Sequence, residues 1–134
     1  MRHVNMVVLV GNVGADPELR ETKGRGIPVS NFSIATNESF KNANGGTTEL
    51  VTWHHLVAWR NQALYAAKAI HKGDLVYAQG CLRDKPWVDK NGVQHSKKEV
   101  HLVRVSVLSA KQQRELELNE EELSDEEMEE ASTF

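Results

Sequence analysis

Cysteine is almost absent from this chain of 134 residues, in which Cys81 stands alone. One thiol can form neither an internal disulfide nor a cysteine metal cluster, so the composition is typical of a reducing compartment and Cys81 is expected to be a small buried hydrophobe. Long apolar runs are also missing. The run near the start is too short for a signal peptide, and no later run approaches the length of a membrane span. We therefore expect a cytoplasmic protein that makes no membrane contact.

The sequence also lacks the motifs of catalysis and of metal binding. No serine, cysteine or carboxylate pair is arranged for nucleophilic or acid–base chemistry, and the phosphate-binding pattern GxxxxGKS/T does not occur. The run GNVG at residues 11–14 is better explained as a bend in a strand. Among the six histidines, His54 and His55 are adjacent and point to opposite faces of a strand, and no pair has the spacing of a metal helix motif. We predict no catalytic residue, no cofactor and no metal; a small metalloenzyme that uses the histidines is the alternative of a different class.

Charge is divided unevenly along the chain. Residues 1–110 carry 14 Lys and Arg against 9 Asp and Glu, whereas residues 111–134 carry 2 against 10. The net charges are thus +5 and −8. A block such as NEEELSDEEMEE is self-repelling and poor in core-forming residues. We predict one folded domain over residues 1–110 and an acidic, disordered tail over residues 111–134.

Most of the domain has the period of β-strands. Apolar or alternating runs predict strands at residues 6–10, 29–36, 50–59, 75–82 and 100–108, and DKNG at residues 89–92 predicts a hairpin turn. The alanine-rich run NQALYAAKAIHKG has helical spacing and stops at Gly73, which predicts one helix of about ten residues between the third and fourth strands. This order predicts an all-β OB-fold, a five-stranded Greek-key barrel that often presents a face to oligonucleotides.

Aromatic residues are few, with eight Phe, Tyr and Trp in all, yet two of the three tryptophans lie close together in TWHHLVAWRN. Side chains alternate along a strand, so Trp53 and Trp59 share one face while His54 lies on the other. Two interpretations follow. In one, the tryptophans are core residues, since aromatic side chains dominate buried area; in the other, they are two contact points along one binding surface.

Four segments together resemble one known family. VVLVGNVGADPELR, VSNFSIATNESF, TWHHLVAWRNQA and HKGDLVYAQGCLRDKPWVDKNG occur in the order and at the spacing of the bacterial and phage single-stranded DNA-binding proteins, from about residue 4 to residue 108. The resemblance implies a non-enzymatic homotetramer that binds and protects single-stranded DNA in replication, recombination and repair. An OB-fold adaptor of the primosome, or one that binds RNA, is the alternative.

The resemblance also implies roles for particular residues. The base-stacking aromatics of the family fall on Phe40, Trp53, Trp59 and Trp87. Basic residues in or beside the aromatic segments are expected to neutralise phosphates: Arg2, Lys41, Arg60, Lys72, Arg83 and Lys85. His54 falls near the subunit contacts, which implies a role at the oligomer interface. The chain departs from the family pattern at three positions: Phe40 stands where tryptophan is common, Trp59 where phenylalanine is more usual, and Pro86 where a basic residue is often found.

The acidic end of the chain is similar to the family's tail. In the family, an acidic tip with a terminal phenylalanine docks onto replication and repair proteins, which implies this role for Glu129, Glu130 and Phe134. The tip EEASTF lacks the usual proline before the phenylalanine and the aspartate run ahead of it, and the tail lacks a long Gly- and Pro-rich linker. Because the tail is negative and the body positive, we also expect the tail to compete with DNA for the basic groove.

Overall fold

A computed structural model describes residues 2–111 together with residues 116 and 118. Residues 2–110 contain six strands and one helix, and residues 111, 116 and 118 are also helical. In chain order the six strands and the helix are β1 (Val7–Val13), β2 (Glu18–Glu21), β3 (Pro28–Lys41), β4 (Thr47–Trp59), α1 (Asn61–Ala69), β5 (Leu75–Val88) and β6 (Gln94–Ser109). Glu129, Glu130 and Phe134, the tail residues with predicted partner-binding roles, lie outside the described residues.

Five of the strands close into a barrel. β1 pairs with β5, β5 with β6, β4 with β3 and β3 with β1, all in antiparallel fashion, while a short parallel pairing joins β4 to β6. β2 pairs with β3 outside this ring. The arrangement confirms the predicted all-β OB-fold, with its helix between the third and fourth barrel strands.

β2 is a strand that the sequence did not predict. Its four residues, ELRE, are all exposed and show no apolar alternation. Backbone pairing with β3, from Glu18 opposite Asn31 to Glu21 opposite Pro28, holds the segment extended. Because this pairing involves backbone groups and no buried face, hydrophobic periodicity could not reveal the strand.

Two ribbons project beyond the barrel wall. β3 and β4 extend past the predicted limits at the ends where they join, as do β5 and β6, and the added residues are mostly exposed. Neither face of these extensions is packed against the core, so their residues show no apolar alternation. The strands predicted from alternation are therefore shorter than the observed strands.

The predicted hairpin turn at residues 89–92 is confirmed between β5 and β6. Gly92 has a φ of 79°, in the left-handed region that glycine adopts without strain. The Asp89 carboxylate accepts the backbone N–H groups of Asn91 and Val93 at 2.8 and 2.9 Å. Local turn chemistry therefore sets the register of the whole β5–β6 ribbon.

The hydrophobic core fills the barrel, and α1 packs against it. Ala63 and Ala66 of the helix, and Ile70 just after it, have no exposed surface. The other core residues come from the inward faces of the strands: Val13, Phe32, Ile34, Leu56, Ala58, Val76, Ala78, Val100 and Leu102. α1 has nine residues. In the part of the chain described here, no helix has the length and apolar character needed to cross a membrane.

Gly11 lies where β1 passes between two partner strands. β1 pairs with β5 as far as Asn12 and with β3 at Asn12 and Val13. A Cβ atom on Gly11 would collide with the backbone carbonyl of Ala35 on β3. The first glycine of GNVG thus permits the close backbone approach that completes the barrel.

The prediction that Cys81 is buried is wrong. Val76 and Ala78 point into the barrel and are fully buried, so the odd-numbered residues of β5 lie on the outer face. Cys81 is on that face, opposite His101 of β6, and is half-buried with a free thiol.

Candidate nucleic-acid interface

Alternation along β4 separates its tryptophans from the core. Leu56 and Ala58 point inward and are 1% and 0% exposed, whereas Trp53 and Trp59 on the outer face are 57% and 37% exposed. Val57, between them on the outer face, is only 4% exposed. Trp53 and Trp59 are therefore surface residues, and their interpretation as core residues is wrong.

His54 lies on the inner side of β4, as alternation predicted. It is half-buried, and its Nε2 lies 2.9 Å from Oγ1 of Thr36 on β3. The imidazole is thus engaged at the base of the β3–β4 ribbon, away from the face that carries the tryptophans. Its role at an oligomer interface stays a prediction.

Trp53 borders an open depression of about 420 Å³. The indole lies against Gly14, where an added Cβ would come within 2.5 Å of the ring. His55 and Ser33 also line the depression and contact each other at 3.2 Å through Nδ1 and Oγ. The other lining residues are Ala15, Asp16, Glu18, Asn31 and Phe32. Because Gly14 has no side chain, the indole of Trp53 can rest on backbone and still present most of its surface to solvent.

Trp59 borders a second depression of about 460 Å³, which shares Asn31 with the first. The indole Nε1–H donates to Nδ1 of His101 at 3.0 Å, and Nε2 of that imidazole lies 3.5 Å from Oε1 of Glu99. Burial, reinforced by the positive charge of Arg83, lowers the pKa of His101, so the ring is neutral at pH 7. The other lining residues are Arg20, Glu21, Val29, Val57, Asp84, Lys85 and Pro86.

Trp87 borders a third depression of about 560 Å³ on the β5–β6 ribbon, and Lys85 lines both this depression and the second. The indole stacks on His95, with ring centroids 4.5 Å apart and 24° between the planes. Nε2 of His95 lies 2.7 Å from the Asp89 carboxylate, and this hydrogen bond is the main reason that the pKa of Asp89 is lowered. Ser96 and Lys97 complete the lining.

The three depressions share lining residues, so Trp53, Trp59 and Trp87 lie along one continuous surface, which we call the aromatic track. Arg83 and Lys85, two of the predicted phosphate-binding residues, line it, and Lys97 does so as well. Across residues 2–111, ion pairs engage none of these three cations. Planar rings and positively charged side chains therefore lie together along the second and third depressions.

Carboxylates also line the aromatic track, but most of them are already engaged. Three have a partner: Asp16 accepts the backbone N–H of Lys72, Glu18 pairs with Arg20, and Asp84 pairs with Lys98. Glu99 faces the imidazole of His101, which is neutral. A paired carboxylate repels an approaching anion less than a free one, since its partner offsets part of its field. Among the described residues, no carboxylate lines the third depression, where Lys85 and Lys97 lie. In the second depression, Glu21 and Glu99 lie beside Arg83 and Lys85.

Lys97 and the two histidines beside the tryptophans were missed in the sequence analysis. The observed register pairs Trp87 with His95 and Lys85 with Lys97. The predicted Asn-Gly turn did not fix this register, because a two-residue loop would have paired Trp87 with Ser96 and Lys85 with Lys98. The contact between His101 and a tryptophan of β4 depends on the β4–β6 pairing, which no local pattern signals.

The remaining residues predicted to contact DNA do not line the three depressions. Phe40 is 48% exposed on the β3–β4 ribbon, and alternation along the uninterrupted register puts it on the opposite face from Trp53. The other basic residues are exposed and lie outside the three depressions: Arg2, Lys41, Arg60 and Lys72. The DNA-contacting role of each of these residues stays a prediction.

The histidines of this surface bind protein groups. His55 contacts a serine, His95 a carboxylate and a tryptophan, and His101 a tryptophan and a carboxylate. Among residues 2–111, 116 and 118, no three His, Cys, Asp or Glu side chains are grouped as ligands for a metal ion.

Sequence comparison relates most of the chain to proteins that bind single-stranded DNA. Residues 4–108 match the Single-strand binding protein family. Single-stranded DNA-binding protein 1 of Chlorobaculum tepidum is 39% identical over 111 residues, covering 82% of this chain and 68% of that protein. The single-stranded DNA-binding protein of Neisseria meningitidis is 36% identical over 93 residues, which are 69% of this chain and only about half, 53%, of the relative.

A solved structure, described as a Plasmodium falciparum SSB complex with ssDNA, has a similar fold. The TM-score is 0.72 at 28% sequence identity, and the match covers 82% of this chain and 97% of the other. The barrel with one helix is therefore the fold of a protein that was solved with single-stranded DNA bound.

Proposed function

Because this chain belongs to the single-strand binding protein family, we propose that its aromatic track binds single-stranded DNA without reading the base sequence. One observation carries the proposal: three exposed tryptophans lie along one surface with three unpaired cations. Unpaired bases expose their ring faces, and stacking on an aromatic side chain contributes roughly 1–3 kcal/mol per base. Members of the family bind DNA and are not enzymes. The protein would protect exposed strands during replication, recombination and repair in the cytoplasm.

Arg83, Lys85 and Lys97 would follow the phosphates between the stacked bases. Each neutralised phosphate releases condensed counterions, so these contacts add affinity that falls with salt and carries no base preference. All three lie on the face of the β5–β6 ribbon that also carries Trp87. The same stretch of DNA could therefore stack on Trp87 and bind these cations through its phosphates.

Phe40 and the outlying cations would contact DNA that continues past the aromatic track. Phe40 is exposed on the β3–β4 ribbon, and Lys41 follows it at the end of β3. A long strand that passes around the ribbon would reach both. We propose the same secondary role for the exposed side chains of Arg2, Arg60 and Lys72.

The protein is proposed to act as a homotetramer. The outer side of β1 is apolar and open, with Val8 53% and Val10 47% exposed, and Met6 just ahead of the strand is 62% exposed. Exposed apolar faces of this kind mark protein–protein contacts. We place His54 at a second contact, as the family resemblance implies. Several aromatic tracks in one assembly would let a single DNA strand pass from one barrel to the next.

The acidic tail is proposed to bind partner proteins and to compete with DNA. Residues 111–134 carry a net charge of −8 on a tether to a body of +5, so the tail reaches the basic surface at high effective concentration. Phe134 and the acidic pair Glu129 and Glu130 would dock onto replication and repair proteins, with the ring in an apolar pocket and the carboxylates on a basic rim. DNA occupying the aromatic track would displace the tail and free it for these partners.

Replacement of Trp53 by Ala is expected to weaken binding to poly(dT) by roughly 5-fold to 150-fold, the equivalent of one lost stacking contact. Titration of tryptophan fluorescence measures this, since stacked indoles are quenched. Because Trp53 is 57% exposed, the free energy of unfolding should change little. The control is Leu64→Ala, a similarly exposed residue on α1.

The wild-type protein should prefer poly(dT) to single-stranded RNA and duplex DNA of equal length; equal affinity for RNA would favour an RNA-binding adaptor.

Lys97→Gln is expected to reduce the salt dependence of binding to poly(dT), with Lys98→Gln as the matched control. Lys97 lines the aromatic track, whereas its neighbour Lys98 points to the other face of the ribbon and pairs with Asp84. The slope of log affinity against log salt should become shallower by about 0.7 for Lys97→Gln, the value for one phosphate contact with a single strand. Equal slopes for both variants would show that Lys97 does not contact phosphate.

Sedimentation at micromolar concentration is expected to give the mass of four chains. Val8→Lys combined with Val10→Lys should lower that mass, because charge on the outer side of β1 would have to be buried at the contact. Leu64→Lys on α1 serves as the control. A wild-type mass of one or two chains would contradict the tetramer.

Deletion of residues 119–134 is expected to raise affinity for single-stranded DNA at low salt and to have little effect at high salt, where charges are screened. A full-length variant with every tail Glu and Asp replaced by Gln and Asn separates charge from length. If charge is what competes, this variant should bind like the truncated chain. Equal affinity of intact and truncated proteins at low salt would show that the tail does not compete.

A further inference from the structure

Trp59 differs from the other two tryptophans of the aromatic track because its indole N–H is engaged. The Nε1–H donates to Nδ1 of His101 at 3.0 Å, across 42 residues of sequence. An indole N–H lies in the plane of its ring, and the two planes are tilted by only 20° with centroids 6.1 Å apart. The imidazole therefore lies beside the indole instead of over it, so the hydrogen bond covers an edge of Trp59 and leaves its ring faces open for stacking.

His101 is itself held by its surroundings. Its backbone pairs with Val57 of β4 and Cys81 of β5, and a Cβ atom on Gly80 would collide with its carbonyl group. Glu99 faces Nε2 at 3.5 Å, which favours the tautomer that carries its proton there and leaves Nδ1 as the acceptor. The imidazole side chain is 13% exposed, so it has little freedom to turn away.

The charges around His101 keep it neutral at ordinary pH. Burial lowers its pKa, Arg83 and Lys85 on β5 act in the same direction, and Glu99 on β6 acts against them. Cys81 is the other titratable group opposite it on β5, and its neighbours Val57 and Trp59 on β4 do not titrate. Arg20, Glu21 and Asp84 line the same depression. A neutral imidazole supplies the lone pair that the indole N–H requires.

We propose that His101 is a positioning residue for base stacking, which fixes the indole of Trp59 through the hydrogen bond to Nε1 so that the ring is ordered before DNA arrives. This inference rests on the proposed single-stranded DNA-binding function. A free indole samples several rotamers and loses that freedom on stacking, whereas a held indole has lost it already. His101 thus raises affinity without touching a base or a phosphate.

The hydrogen bond is tested first without DNA, through the NMR signal of the Trp59 indole N–H. We expect a shifted signal that is protected from solvent exchange at pH 7 in the wild type. Both features should be lost in His101→Leu and retained in His101→Asn, whose side-chain oxygen can accept at the place of Nδ1. They should also be lost as pH falls below the ordinary histidine range and the imidazole takes up a proton. An indole signal that His101→Leu leaves unchanged would overturn the proposal.

The effect on DNA is tested with a double-mutant cycle of Trp59→Phe and His101→Leu, measured with poly(dT). His101→Leu alone should weaken binding by roughly 3-fold to 10-fold, as expected for one side chain that must be ordered on binding. In the Trp59→Phe background it should have no effect, because phenylalanine has no N–H for the imidazole to hold. A loss that persists in that background would mean that His101 contacts DNA directly, and would overturn the proposal. Failure of the wild type to bind poly(dT) would instead refute the proposed function, while the NMR result would still decide whether His101 holds the ring.

Discussion

The parallel pairing of β4 with β6 joins the two halves of the aromatic track. It consists of two residue pairs, Leu56 with Val100 and Val57 with His101. Leu56 and Val100 are buried in the core, so the pairing is stabilised from inside the barrel. On the outside, the same pairing brings Trp59 beside the ribbon that carries Trp87 and the unpaired cations. If β4 and β6 separated, β4 would keep Trp53 and Trp59 and β5 would keep Trp87, but the continuous surface between them would be lost.

Each exposed tryptophan of the aromatic track has a different support. Trp53 rests on the backbone at Gly14, Trp59 is held at its edge by an imidazole, and Trp87 stacks on a second imidazole. An aromatic ring in solvent is a poor platform unless something limits its motion, because ordering it on binding costs free energy. These supports leave much of each indole accessible. The supporting groups are small or polar, so they cover little of the ring surface on which a base could stack.

Charge is organised at two levels. On the aromatic track, three of the five lining carboxylates have partners, whereas Arg83, Lys85 and Lys97 form no ion pair within the described residues. Along the chain, an excess of negative charge is confined to the last residues. A protein with a formal net charge of −3 can therefore present a basic surface to a polyanion. The same separation allows a tethered acidic segment to act on that surface.

Local patterns in the sequence determined the barrel strands, the helix, the DKNG turn and the fact that Trp53 and Trp59 share one face, because period-two alternation and turn chemistry depend on neighbouring residues alone. Which face of β4 points outward was decided by the barrel, in which Leu56 and Ala58 are buried. The Asn-Gly turn located the hairpin, but the pairing that sets Lys97 beside Lys85 depends on the loop length seen only in the structure. Only the tertiary structure decided that β2 is a strand and that Phe40 lies apart from the aromatic track. It also decided that Trp59 meets His101. The first two depend on backbone pairing between consecutive strands, β2 with β3 and β3 with β4, and the third on the pairing of β4 with β6. Such pairing leaves no periodic trace in either segment by itself.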